Sequence, residues 1–241
     1  MHVYNMETIY RFNRTRSEPP GGFTLVEILI AVVIFAIVMT TVLGSFRLAF
    51  VGIDDIKNGM YRFDAARSCL QRIQLDLEAL QLTMKPRYRP PDRDSDPDPF
   101  RIVGDTTDTA GKPFGRLRFA SLAHVPLGRL KWDGVAEIVY YVEADRNDKP
   151  VLRRADRLDP VAEERDETND PILCDQVLEL TFTYFDAEGT DYERWDSEAD
   201  DFGYATPAAI EIKLTLGTEE DSDTFTTTVR LPQHRAETET T

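Results

Sequence analysis

The chain has 241 residues, with 43 acidic against 28 basic side chains and a formal net charge of −15 at pH 7. That balance excludes nucleic acid and anionic lipid head groups as partners of its water-facing surface, since both are repelled by it. Outside the most apolar stretch roughly 190 residues remain, enough for one sizeable core.

The first 22 residues are polar and carry Arg11, Arg14 and Arg16. They end at Gly21-Gly22, followed by Phe23-Thr24-Leu25-Val26-Glu27 and then nineteen residues without a charge, Ile28 to Phe46. A helix over 23–50, charged only at Glu27 and Arg47, is long enough to cross a hydrocarbon core. The arginines on its N-terminal side keep the leader in the cytoplasm and export the rest of the chain. An ordinary secretory signal has a shorter apolar region that is removed by a cut after it. Here the candidate cut, between Gly22 and Phe23, precedes the apolar region, so processing would leave the anchor attached. A plain signal anchor with an accidental Gly-Phe is the alternative. A carboxylate four residues into a membrane helix is costly unless it has a partner or sits near the interface. Glu27 lies about 6 Å along the axis from Phe23, whose α-amino group a cut would expose.

Beyond the anchor, Phe63, Ala66, Leu70, Ile73, Leu77, Leu80 and Met84 recur at steps of three and four, with Arg67, Gln71, Gln74 and Glu78 on the other side. This predicts an amphipathic helix that ends by Pro86, with Gly52 to Asp55 and Gly59 as weak points between anchor and stripe. The proline- and aspartate-rich run from Arg87 to Pro99 reads as a stiff, solvated loop. It lacks the glycine and distal glutamate of an EF-hand. Alternating residues then predict strands around Leu117–Ser121, Ala136–Val142, Val151–Arg154, Leu178–Tyr184, Ile210–Leu216 and Phe225–Leu231. Asp145–Pro150, Asp186–Gly189 and Gly217–Glu220 are the breaks between them. The expected class is α+β, one N-terminal helix packed on antiparallel sheet. The chain then falls into four regions: a leader over 1–22, a transmembrane helix over 23–50, an exterior domain over 51–233 and a flexible tail over 234–241.

Two cysteines occur, Cys69 and Cys174, in no metal-binding spacing. In an oxidising compartment they could be bridged, closing a long loop; two unpaired buried thiols are the other reading. His124 and His234 stand in no pattern suggesting a base for a serine or cysteine nucleophile. Acidic neighbours such as Glu163-Glu164 and Asp200-Asp201 are expected by chance among 43 acidic residues. No catalytic residue, cofactor or metal is assigned. Most Asp and Glu side chains read as a solvated exterior.

Gly22-Phe23-Thr24-Leu25-x-Glu27 resembles the processing site of type IV pilins and pseudopilins. The resemblance implies a long helix on antiparallel sheet, cleavage after Gly22 and N-methylation of Phe23 by a prepilin peptidase, and pairing of Glu27 with the N-terminal amine of a neighbouring subunit. Downstream, Gln74-Leu75-Asp76-Leu77-Glu78 with Pro86-Arg87, Tyr140-Tyr141-Val142 with Leu152-Arg153-Arg154, and Gln176 to Leu180, Trp195 and Pro207-Ala208-Ala209-Ile210-Glu211 are similar to the J-type minor pseudopilin of bacterial type II secretion. That family implies a non-enzymatic subunit of a pseudopilus tip, anchored in the inner membrane with its domain in the periplasm. Its partners would be the I-type and K-type minor pseudopilins and the major pseudopilin, with no nucleic acid and no small-molecule substrate. The long acidic loop and acidic tail have no counterpart in that resemblance. A minor pilin of a type IV pilus is the alternative within the superfamily. A membrane-anchored enzyme or binding module is the alternative outside it.

Overall fold

The computed structural model describes residues 21–91, 96–125, 134–158 and 170–237, excepting the side chains of residues 47–58. The leader arginines, residues 92–95 of the acidic loop, Glu163-Glu164 and residues 238–241 lie outside the described residues. The chain divides into two compact units, Met1–Asp54 and Asp55–Thr241. Helix α1, Leu25–Glu78, contributes residues to both.

In the first unit the apolar stretch Leu25–Phe46 has a mean hydropathy of 2.8 and none of it is buried, so it is not the core helix of a soluble domain. It is long and apolar enough to span a bilayer. Its hydroxyl side chains satisfy themselves within the helix. The Thr40 hydroxyl donates to the Ala36 carbonyl at 2.7 Å, Thr41 to Val38 at 2.8 Å and Ser45 to Thr41 at 2.9 Å. In hydrocarbon, where no water can replace them, such bonds remove the cost of carrying a hydroxyl.

In the second unit the last turns of α1 bury Ala66, Ile73 and Leu77 of the expected stripe together with Cys69, while Leu70 is half-buried and Phe63 and Met84 are exposed. At about 1.5–3 kcal/mol per large apolar side chain, this face secures the helix to the sheets. The helix ends earlier than the stripe does. Leu80 remains buried but sits in an antiparallel bridge with Ser121. The Gln81 N–H donates to the Ala120 carbonyl at 2.9 Å, and the Leu122 N–H to Ala79 at 3.0 Å. Hydrophobic spacing continues past Glu78, but the backbone there pairs with a strand.

Among the described residues ten strands come after the helix: β1 (Val103–Thr109), β2 (Lys112–Ser121), β3 (Ala136–Ala144), β4 (Pro150–Arg157), β5 (Ile172–Cys174), β6 (Val177–Phe185), β7 (Asp191–Tyr192), β8 (Trp195–Asp196), β9 (Ala209–Gly217) and β10 (Ser222–Arg230). They form a six-stranded sheet, β5-β4-β3-β2-β1-β8, and a four-stranded sheet, β10-β9-β6-β7. Every paired neighbour is antiparallel. The class is α+β, an apolar N-terminal helix with antiparallel sheet, as the sequence predicts.

The two sheets approach closely. Leu117, Phe119, Ile138, Tyr140 and Leu152 of one and Leu180, Phe182, Tyr184, Ile212 and Leu214 of the other share one core with the helix stripe. Gly104 permits the tightest contact, since a Cβ there would fall 1.8 Å from the Tyr184 hydroxyl. The alternation expected through Leu178 shifts by one residue. A bulge between Val177 and Glu179 turns Val177 inward and leaves Leu178 half-buried.

Two further expectations change. Asp98 is not part of a solvated loop, because it accepts from the Thr83 hydroxyl at 3.0 Å and the Phe100 N–H at 2.9 Å. Nor is the start of the tail frayed. Arg235 is 2 % exposed, donates to the carbonyls of Tyr204, Ser197 and Thr83 at 2.9, 2.6 and 3.2 Å, and lies 3.3 Å over the Tyr88 ring. A single guanidinium thus joins the segment after α1 to the turn after β8.

Candidate functional site

The junction predicted to be the processing site lies at the open end of α1. Thr24 caps the helix: its hydroxyl oxygen accepts from the Glu27 N–H at 3.2 Å and its carbonyl from the Ile28 N–H at 3.2 Å. Thr24 followed three residues later by Glu27 is the capping-box pattern, and a carboxylate in the first turn complements the positive end of the helix dipole. These local effects explain why the helix tolerates Glu27. They give its carboxylate no charged partner, and among the described residues it has none.

Phe23 is 81 % exposed and Leu25 83 % exposed, so the residues flanking the candidate cut are accessible to another protein. The two glycines before it answer to no demand of the fold. A Cβ on Gly21 or Gly22 would meet nothing within 4 Å, and neither has the positive φ that favours glycine.

In the second unit the segments singled out downstream meet at one buried ionic cluster. Asp76, on the last turn of α1, is fully buried. Its carboxylate accepts from Arg154 Nε of β4 at 2.6 Å and from the Tyr140 hydroxyl of β3 at 2.5 Å, and it also pairs with Arg72 one turn earlier. Arg154 reaches on to Asp156 at 2.6 Å and to the Ala123 carbonyl at 3.2 Å. Asp156 in turn holds His124 Nδ1 at 2.5 Å and the Val125 N–H at 2.8 Å. Burial works against the Arg154 charge, but Asp76 and Asp156 outweigh it and hold its pKa above the ordinary arginine value. Burial likewise opposes the Asp156 charge, yet the Val125 N–H, His124 and Arg154 hold that carboxyl below the usual aspartate range. Burial, reinforced by Asp76, pushes the Tyr140 phenol up.

This cluster joins helix to sheet. Ser121 donates to the Asp76 carbonyl at 2.8 Å and accepts from the Ala123 N–H at 3.1 Å. Among the described residues no group of three or more His, Cys, Asp or Glu side chains is placed to hold a metal. Cys69 and Cys174, distant from each other in sequence, are free, buried thiols of the same core cluster.

Residues 21–43 match the prokaryotic N-terminal methylation motif. The match covers the glycine pair, Phe23, Glu27 and most of the apolar stretch, and none of the second unit. No curated protein matches the chain. The methylation motif is typical of type IV pilins and pseudopilins, which are structural proteins. It implies processing by a prepilin peptidase and membrane association, and the single N-terminal apolar helix fits a single-pass anchor for the β-rich unit.

Sequence reading placed the methylation motif directly, because its signal is local. It missed Asp76, Arg154, Asp156 and His124 as a unit, and it took most acidic side chains for solvated ones. The available signal was a charged residue on the apolar side of a helix stripe: Asp76 falls between Ile73 and Leu77 and Leu80, where a lone carboxylate needs a partner.

Proposed function

We propose that this chain is a minor pseudopilin, a structural subunit of the pseudopilus tip complex in type II protein secretion. The methylation motif over residues 21–43 supports the pilin-like part of this reading, and the downstream resemblance adds the branch. Hydrolysis of the Gly22–Phe23 peptide bond by a prepilin peptidase frees the α-amino group of Phe23, and transfer of a methyl group to that nitrogen completes maturation. The mature helix stays in the inner membrane with the β-rich domain in the periplasm. Glu27, which lacks a charged partner within the described chain, then pairs with the N-terminal amine of a neighbouring subunit.

The segments that resemble the J-type family come together in the fold. Gln74–Glu78, Tyr140–Val142 and Leu152–Arg154 supply Asp76, Tyr140 and Arg154, and the aspartate accepts from the other two at 2.5 and 2.6 Å. Segments distant in sequence thus form one structural feature. The partners are the I-type and K-type minor pseudopilins and the major pseudopilin. Phe63, 53 % exposed, leans on Phe225 at 6.1 Å between centroids, and with Arg67, Leu70 and Gln74 it lines a groove beside edge strand β10. This groove is the face offered to a partner helix.

Deletion of the gene tests the reading. Loss of secretion of exported enzymes with pili and twitching intact is expected. Loss of pili with secretion intact would assign the chain to a type IV pilus instead. Substitution at Glu27 tests its role. Glu27→Gln keeps a side chain able to complete the capping box but removes the charge, so assembly is expected to fail while cleavage continues. Normal assembly with glutamine would reduce Glu27 to a helix cap.

A further inference from the structure

Among the described residues the outer strands are β5 and β8 in one sheet and β7 and β10 in the other. Strands β7 and β8 have two residues each, and β5 has three with an irregular register. Edges so short or broken offer little to a neighbouring chain. Strand β10 is different. It runs for nine residues and pairs with β9 at every one of them without a bulge. It contains no proline and no lysine, the residues that commonly blunt an edge, and Thr224, Thr226, Thr227, Thr228 and Val229 favour extended backbone.

The hairpin fixes where the backbone groups of β10 point. Thr218 and Asp221 exchange both hydrogen bonds, at 2.9 and 3.3 Å, and beyond the other end the Leu231 N–H donates to Ala208 at 3.0 Å. In an antiparallel ladder such pairs alternate with pairs whose N–H and C=O groups turn away. Asp223, Phe225, Thr227 and Val229 therefore bond to β9, while the N–H and C=O groups of Thr224, Thr226 and Thr228 face the open side. Among the described residues no strand pairs with that side. Charge also differs along the edge. Glu219, Glu220, Asp221 and Asp223 gather at the hairpin end, where Arg62 holds Asp221 and Asp223 and Lys112 lies 3.0 Å from Glu219. Arg230 stands at the opposite end.

We propose that the open edge of β10 binds an extended segment of another polypeptide, which joins the sheet as a new outer strand with basic residues at the hairpin end. The segment runs antiparallel to β10, as every other pair in the sheet does. Backbone hydrogen bonds to Thr224, Thr226 and Thr228 supply the affinity, and apolar side chains of the segment fall on the face that carries Phe225. Phe225 already leans on Phe63, so that face is apolar before the segment arrives. A second copy of this chain is disfavoured, since it brings a further formal charge of −15 to a surface of the same sign. The edge borders the groove assigned to a partner helix, but the two are read by different chemistry, the groove by side chains and the edge by backbone.

Amide hydrogen exchange of the full chain in detergent, resolved residue by residue, tests this with the synthetic peptide Thr-Val-Thr-Val-Thr-Val-Lys-Lys as probe. In the free protein the amides of Phe225 and Thr227 are expected to exchange slowly and those of Thr224, Thr226 and Thr228 fast. Added peptide is expected to slow the second set about 10-fold or more and to leave the first unchanged. A peptide with glutamate in place of both lysines is expected to bind at least about 10-fold more weakly, with the difference shrinking in high salt. Thr226→Pro removes an outward N–H and no bond to β9, so it is expected to melt close to the unaltered chain and to lose the peptide. Thr226→Ala keeps that N–H and is expected to bind. Exchange at Thr224, Thr226 and Thr228 that ignores the basic peptide would overturn the proposal, as would equal binding of the two peptides or unchanged binding by Thr226→Pro. The exchange result on the unaltered chain stands whether or not that variant folds. Protection of the same amides that grows with protein concentration in the absence of peptide would give the edge to a second copy and overturn it too. None of these readouts depends on processing, so a chain recovered from cells with its leader intact would count against the pseudopilin reading alone.

Discussion

Arg154 Nε donates to Asp76 Oδ2 at 2.6 Å, and the two side chains are 3 % and 0 % exposed. This pair links the end of the α1 stripe to β4, and each member has a further charged partner, Arg72 for Asp76 and Asp156 for Arg154. Asp76→Ala would strand Arg154 beside Asp156 without its main counter-charge. Removing one partner of a buried pair costs about 3–5 kcal/mol, far above the effect of a surface ion pair. Urea denaturation should show that loss as a lower midpoint at constant slope. Replacing both residues together, Asp76→Leu with Arg154→Met, should recover much of the loss. A double variant as unstable as the single would mean that Tyr140 and Arg72, not Arg154, are what Asp76 serves.

The cluster also sets a pH dependence. Asp156 has a folded pKa below its unfolded value, so its contribution is fully present above the unfolded pKa, about 4. It is lost as pH falls through the lower, folded value. Stability measured by urea denaturation should therefore drop as the pH falls below about 4, and Asp156→Asn should flatten that drop while lowering stability at pH 7. An unchanged slope in the variant would remove Asp156 from the explanation.

Tyr184 is fully enclosed, and its hydroxyl has no hydrogen-bond partner among the described residues. An unpaired buried polar atom is a cost, so Tyr184→Phe should leave stability unchanged or raise it by about 1 kcal/mol. Gly104→Ala acts on the same contact from the other side. Its methyl group would collide with the tyrosine ring and hydroxyl, at 2.0 and 1.8 Å, and should destabilise by about 1–3 kcal/mol. Thermal melts of the two variants check both signs.

Arg235 offers a test of the C-terminal segment. Its fork serves three carbonyls and Glu198 while stacking on Tyr88. Arg235→Lys keeps the charge but cannot reproduce the planar fork. Both Arg235→Ala and Arg235→Lys should therefore lower the urea midpoint, the alanine by about 3 kcal/mol or more. Full rescue by lysine would show that charge alone matters there.

The fold was legible wherever a residue's environment is set by its near neighbours. The anchor, the stripe from Ala66 to Leu77, the β3–β4 hairpin and the alternation through β9 all have this property. Strand β1 was missed because only its first residues are covered; the sequence Asp105-Thr106-Thr107-Asp108 is exposed on both faces and shows no alternation. Strands β5, β7 and β8, of two or three residues, are too short to carry a period. The same limit governs the site. Gly22, Phe23 and Glu27 are close in sequence and declare themselves. Asp76 and Arg154 are joined only by the folding of α1 onto the sheet, and no spacing announces such a pair.

The central claim concerns a cut and a methyl group at a single bond. Mass spectrometry of the N-terminus of the protein recovered from its membrane tests it most directly. The expected result is a chain that begins at Phe23 and carries one N-methyl group. A chain that retains its leader, or one cut anywhere other than between Gly22 and Phe23, would contradict it.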